Sequence, residues 1–243
     1  MEIEDLPRRR LLAWSLAAAL TAGPGAAFGG AAAAQTLSDV ARAGQGTGDG
    51  LFGSVEMRSE SLKGLPQWTR VLQVMERDGP AFARCAGDAT DCPTPVLKNW
   101  RKVITGARAL PRGQQIDFVN KFFNQWPYKE DIELYGLSEY WATPREFMSR
   151  SGDCEDFAIA KYFALRALGI EKEELRIVIL MDEIRNIGHA VLTIEEGGDI
   201  LVLDSLSNLL LPHTKYKHYA PQYSMNETTR WAHFYDKNRT ASL

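Results

Sequence analysis

The chain has 243 residues, 45% of them hydrophobic, enough for one cored domain with an extension. A formal net charge of −3 excludes the basic footprint of a nucleic-acid binder. No internal repeat is visible.

The first segment reads as an export signal. Arg8, Arg9 and Arg10 precede an apolar run, Leu11 to Ala22, too short to span a bilayer as a lasting helix. Ala31 to Ala34 offer a small-residue cleavage site before Gln35. Residues 1–34 are therefore a predicted signal peptide, and the arginine run also permits twin-arginine export. An uncleaved N-terminal anchor is the alternative. Residues 35–60, rich in Ala, Gly, Ser and Thr, read as a flexible lead-in to a domain over 61–243.

Three helices come next. Pro66 to Asp78 places Trp68, Val71, Leu72 and Met75 at helical spacing, and Gly79-Pro80 is the expected stop. Pro95 to Leu110 and Gly113 to Trp126 repeat the pattern. Their apolar stripes read as core. Between the first two, Cys85 and Cys92 lie in a loop-like stretch and form a plausible disulfide in an exported protein. Cys154 is then the odd cysteine, either a reactive thiol or a buried inert one. Tyr128 to Leu137 is a charged connection whose acids Glu130, Asp131 and Glu133 read as a solvated loop, with a second metal site as the weaker alternative. Thr143-Pro144-Arg145-Glu146 is a capping box that starts a short helix ending near Arg150.

The run Ser151-Gly152-Asp153-Cys154-Glu155-Asp156-Phe157 organises the chain. Asp153 suits an N-cap, Asp156 falls at N3, and an amphipathic pattern then runs to Leu168 before Gly169. The thiol of Cys154 thus sits in a helix's first turn, where the dipole favours thiolate. Asp153, Glu155 and Asp156 oppose that preference by raising the thiol pKa. A bound calcium would resolve the conflict, because clustered carboxylates are its ligands. The competing explanation is that Asp153 and Asp156 only cap the helix while Glu155 faces solvent.

After Gly169 the period changes to two. Leu175 to Met181 reads as a buried strand, and His189 to Ile194 and Ile200 to Asp204 as a hairpin around Glu195–Asp199. A turn centred on Glu196-Gly197 would pair Ile194 with Asp199, Leu192 with Leu201 and His189 with Asp204. His189 and Asp204 are therefore expected as neighbours at the open end. The tail from Leu209 should wrap the domain, and its histidines His213, His218 and His233 lack metal spacing.

A cysteine at a helix start, a histidine on a strand and an acid on the partner strand suit acyl chemistry. At these residues the sequence resembles the bacterial transglutaminase-like cysteine proteinases. The resemblance rests on FVNKFFNQ (Phe118–Gln125), YWATPREFMSRSGDCEDFAIAKYFALRALGI (Tyr140–Ile170), LRIV (Leu175–Val178), GHAVLTI (Gly188–Ile194) and LVLDSLSN (Leu201–Asn208), and covers most of residues 66–235. It implies an α+β, papain-like or transglutaminase-like core, with N-terminal helices and the Cys-bearing helix packed on an antiparallel sheet. It implies Cys154 as nucleophile, His189 as general base and Asp204 as orienting acid. It implies a calcium (Ca2+) site chiefly at Asp153 and Glu155, with Asp156. It further implies a periplasmic protease that cuts a large surface adhesin near its N-terminus and so disperses a biofilm. Its restraint would come from the periplasmic domain of a cyclic-di-GMP-responsive inner-membrane receptor. A transglutaminase or amidase acting on cell-wall peptides would use the same three residues, and a non-enzymatic calcium-binding protein is a third reading. Trp141 is expected in the core or at the site's edge, and the Cys154 backbone N–H as one oxyanion donor.

Overall fold

The computed structural model describes residues 50–87 and 92–235. The predicted signal peptide and the lead-in up to residue 49 lie outside the described residues. Among the described residues, no helix is long and apolar enough to cross a membrane.

The architecture is α+β: helices against one antiparallel sheet. The helices are α1 (Pro66–Ala86), α2 (Pro95–Arg108), α3 (Arg112–Phe123), α4 (Asp131–Tyr135), α5 (Pro144–Arg150) and α6 (Cys154–Ala167). The strands are β1 (Val55–Ser59), β2 (Leu175–Asp182), β3 (Ile187–Glu196), β4 (Asp199–Leu203), β5 (Leu211–Pro212), β6 (Tyr219–Met225) and β7 (Arg230–Phe234). They form one seven-stranded sheet in the order β1-β7-β6-β2-β3-β4-β5.

The period-two pattern of β2 sorts its side chains onto two faces. Leu175 and Ile177 join Leu192, Ile194 and Leu203 in the main core, beneath Trp68, Trp100, Phe123 and Phe157 of the helices. Val178 and Leu180 pack on the other face with Val191, Val202, Tyr219, Leu51 and Phe52. Trp141, 3% exposed, belongs to the main core.

Four local expectations need correction. First, α1 does not stop at Gly79-Pro80 but continues to Ala86. An interior proline costs about 3 kcal/mol. Beyond it, however, Phe82, Cys85 and Ala86 are buried, and Phe82 lies edge-on to Trp100 at 4.6 Å. Cys85 therefore sits in a helix, and its disulfide to Cys92 ties that helix to the start of α2. Second, part of the lead-in read as flexible is structured: Leu51 and Phe52 are buried in a 3₁₀ turn, and β1 pairs with β7. With only Val55 and Met57 apolar in five residues, this short edge strand carries little pattern of its own.

Third, the tail does not wrap the domain. It supplies β5, β6 and β7, with β6 directly beside β2. Pro221 argues against a central strand in the sequence, yet here it sits at the β-bulge opposite Ile179 and Leu180. Fourth, the hairpin register is offset by two: Ile194 pairs with Leu201 and Leu192 with Leu203. The turn is Gly197-Gly198, both at positive φ (61° and 87°), which is what a two-residue primed turn requires. A shift of two keeps every side chain on its face, so His189 and Asp204 remain on one side.

Candidate active site

The chain approaches the site through α5, whose capping box forms as expected: Thr143 Oγ1 accepts from Glu146 N–H, and Glu146 Oε2 accepts from Thr143 N–H at 2.8 Å. Ser151 (φ 74°) ends that helix. Gly152 follows because nothing larger fits, as a Cβ there would lie 2.0 Å from Asp156 Oδ2. Asp153 is the N-cap of α6, and its N–H donates to Asp156 Oδ2 at 3.3 Å. The other oxygen of Asp156 accepts the Ala142 N–H at 2.5 Å.

Cys154 is the first residue of α6, partly exposed, and the only free cysteine among the described residues. α6 packs against β3, the strand that carries His189, and the Ala190 N–H on that strand acts to lower the thiol pKa. The thiol donates to Glu155 Oε2 at 3.2 Å. Burial raises its pKa well above the ordinary thiol value, and the Glu155 and Asp153 charges add to the rise. The acids expected from the sequence to oppose the dipole are therefore present, and together with the larger effect of burial they raise the thiol pKa.

His189 and Asp204 meet. His189 Nε2 lies 2.9 Å from Asp204 Oδ1, and both side chains are buried. Asp204 falls one residue past β4, so the contact is diagonal rather than directly opposed. Oδ1 also accepts the Leu206 N–H at 3.0 Å, and Oδ2 accepts the Tyr219 hydroxyl at 2.7 Å. Burial alone would raise the Asp204 pKa, but His189, Tyr219 and Leu206 together hold it below the ordinary carboxylate value.

The acids divide into two groups. Ligand-type atoms of Asp153, Cys154 and Glu155 lie within 4.8 Å of one another, and so do those of Asp131, Asp153 and Asp156. Asp153 belongs to both. Glu155 does not face solvent: it is buried, and burial followed by the Asp156 charge raises its pKa to about 7. Asp156 is raised well above the usual carboxylate range by burial, then by Asp153 and Asp131. Three buried carboxylates in mutual repulsion form an oxygen-only donor set, which suits a hard dication such as calcium.

Asp131 corrects the reading of 128–137 as a solvated loop. It is fully buried in α4 and accepts the Tyr140 N–H. Its loop is brought in by a bridge between Tyr128 and Gly152, a Lys129 N–H to Gly152 carbonyl bond of 2.9 Å, and Tyr128 stacking on Phe157. The sequence alone also did not single out Tyr219, Asn120 or Asn124. Asn124 Nδ2 donates to the carbonyls of Asp204 (2.9 Å) and Ser207 (3.0 Å), and Asn120 Nδ2 to Ser207 (3.3 Å). Two of the stretches that carry the family resemblance, FVNKFFNQ and LVLDSLSN, thus touch each other at the acid.

These features define a transglutaminase-like cysteine peptidase, and the sequence comparison agrees. A family model described as bacterial transglutaminase-like cysteine proteinase matches residues 82–239, and the chain belongs to that family. Among solved structures, Legionella pneumophila LapG is similar at 32% identity, with a TM-score of 0.52 over 63% of this chain and 84% of LapG. Its EGTA-treated form matches at 31% identity and a TM-score of 0.52, over 65% of this chain and 90% of that one. The calcium-bound form matches at 30% identity and 0.51, over 68% of this chain and 86% of that one. No curated protein sequence matches.

Proposed function

We propose that the protein is a calcium-dependent cysteine endopeptidase acting through Cys154, His189 and Asp204. The observation that carries this reading is the buried His189–Asp204 contact of 2.9 Å, with His189 on the strand against which the Cys154 helix packs. The Asp204 bond fixes the Nε2–H tautomer and leaves Nδ1 unprotonated. Nδ1 takes the thiol proton as Cys154 attacks the scissile carbonyl. It returns that proton to the leaving amine as the thioester forms. Water, deprotonated by the same nitrogen, then hydrolyses the thioester. The Cys154 N–H, free at the helix start, donates to the oxyanion.

Asp153, Asp156 and Asp131 would hold calcium, with Glu155 on the thiol side of Asp153. Bound there, calcium supplies charge neutralisation of the acids that oppose the thiolate. That LapG has calcium-bound and EGTA-treated forms supports calcium as the ion. The remainder of the reading rests on family resemblance: a large surface adhesin cut near its N-terminus in the periplasm, biofilm release, and restraint by the periplasmic domain of a cyclic-di-GMP-responsive receptor. Half-exposed Tyr128, Ile187 and Leu206, close in sequence or space to the three residues, suit contact with an extended polypeptide.

The test incubates the chain from Gln35 with the N-terminal fragment of the largest exported adhesin of the same genome, with calcium or a chelator. A discrete cut lost on chelation is expected. Attachment of an amine donor without cleavage would replace this reading with a transferase, and neither reaction would refute an enzymatic role on that substrate.

A further inference from the structure

The inner face of α6 carries more than the thiol. Lys161 lies seven positions after Cys154, two helical turns along the same face, and is fully buried. Lysine is almost never fully buried unless paired. Here Nζ donates to the main-chain carbonyl of Asp204 at 3.0 Å and lies 5.9 Å from the Phe157 ring centre. Burial pulls its pKa down to about 7, and the Asp204 charge acts in the opposite direction. A methionine would occupy similar volume without any charge to desolvate. Packing alone therefore gives no reason for a lysine.

Its partner gives one. The carboxylate of Asp204 is directed at His189, while its carbonyl receives Lys161 from α6 and Asn124 from α3. We propose that Lys161 is a positioning residue that ties the helix bearing Cys154 to the turn bearing Asp204, and so sets how the acid meets His189. This inference rests on the three-residue site proposed above. Without Lys161 the turn keeps its bonds to Asn124 and Asn120 but loses its link to α6. A misplacement of about 1 Å in such a site can cost about 100-fold in rate.

The test uses Lys161→Met and Lys161→Gln in the otherwise intact calcium-loaded protein, with His189→Ala as reference. Two rates are read: cleavage of the adhesin fragment, and alkylation of Cys154 by iodoacetamide, which needs no peptide. The expected result is a fall in kcat of about 10- to 100-fold with KM within about twofold, and slower alkylation. A folded Lys161 variant with a lower Tm but unchanged kcat and alkylation rate would overturn the inference and leave Lys161 a structural residue. If His189→Ala slows alkylation and neither Lys161 variant does, the inference fails by itself. If His189→Ala leaves alkylation unchanged, the three-residue reading fails, and this inference with it.

Discussion

Asp204 takes three hydrogen bonds on its carboxylate, from His189, Leu206 and Tyr219, and is ionised because of them. Tyr219 contributes a buried O–H to a charged acceptor, a bond worth about 1.5–3 kcal/mol. Its ring also lies edge-on to His189 at 5.8 Å. Tyr219→Phe keeps the ring and removes the donor. It is expected to destabilise the fold by about that amount and to lower kcat about tenfold with KM little changed. An unchanged kcat in the purified variant would remove Tyr219 from the machinery. At this scale the sequence was partly legible. His189 and Asp204 were expected to touch because both lie on one local hairpin. Tyr219 and Asn124 were not, because each reaches the site from a distant segment; Asp131 stands in a run of acids that reads first as a solvated loop, with a metal site only as the weaker alternative.

The first turn of α6 shows what an element adds to its residues. Helix rules correctly placed Asp153 as N-cap and Asp156 at N3, since capping is local. They did not show that Glu155 and Asp131 would both be buried, each in a group that shares Asp153. That burial has a thermodynamic consequence for the calcium-free protein. Glu155, at about 7, and Asp156, raised well above its usual value, hold protons in the folded state that the unfolded chain releases. Stability is therefore lost as pH rises from the ordinary carboxylate range toward neutrality. Asp204, with its lowered pKa, has the opposite sign: its contribution is lost only as pH falls below the ordinary carboxylate range. Calcium would remove the first loss. Its increase in Tm is thus expected to be larger at about pH 7.5 than at about pH 5, measured by thermal scans with calcium and with a chelator. An equal shift at both values would place the ion away from these acids. In the β3–β4 hairpin, a turn two residues from the expected one leaves His189 and Asp204 on one face, because face depends only on parity.

For the molecule as a whole, the α+β layering and the order of helices before hairpin followed from the change of period after Gly169. What did not follow was the half of the sheet beyond β2. β1, β6 and β7 come from the two ends of the domain and meet only in the fold. Their hydrogen bonds pair residues far apart in sequence, such as Val55 with Phe234. Buried His233 bridges them: Ser54 Oγ and Ser224 Oγ each lie 2.8 Å from one of its ring nitrogens. The pairing of β6 with β2 brings Tyr219 to Asp204, so the tail supports the site. The family assignment fits this whole, because the matched residues 82–239 include the tail strands β6 and β7 as well as α6 and the hairpin.

The most direct test of the account is the initial rate of adhesin-fragment cleavage by Cys154→Ala, His189→Ala and the double variant, in calcium. Residues that act as one unit lose activity together. Each single change is expected to lower the rate by at least about 1,000-fold, and the double change to cost little more. Cleavage by His189→Ala within about tenfold of the unaltered protein would contradict the account, because proton transfer would then not depend on the residue that meets Asp204.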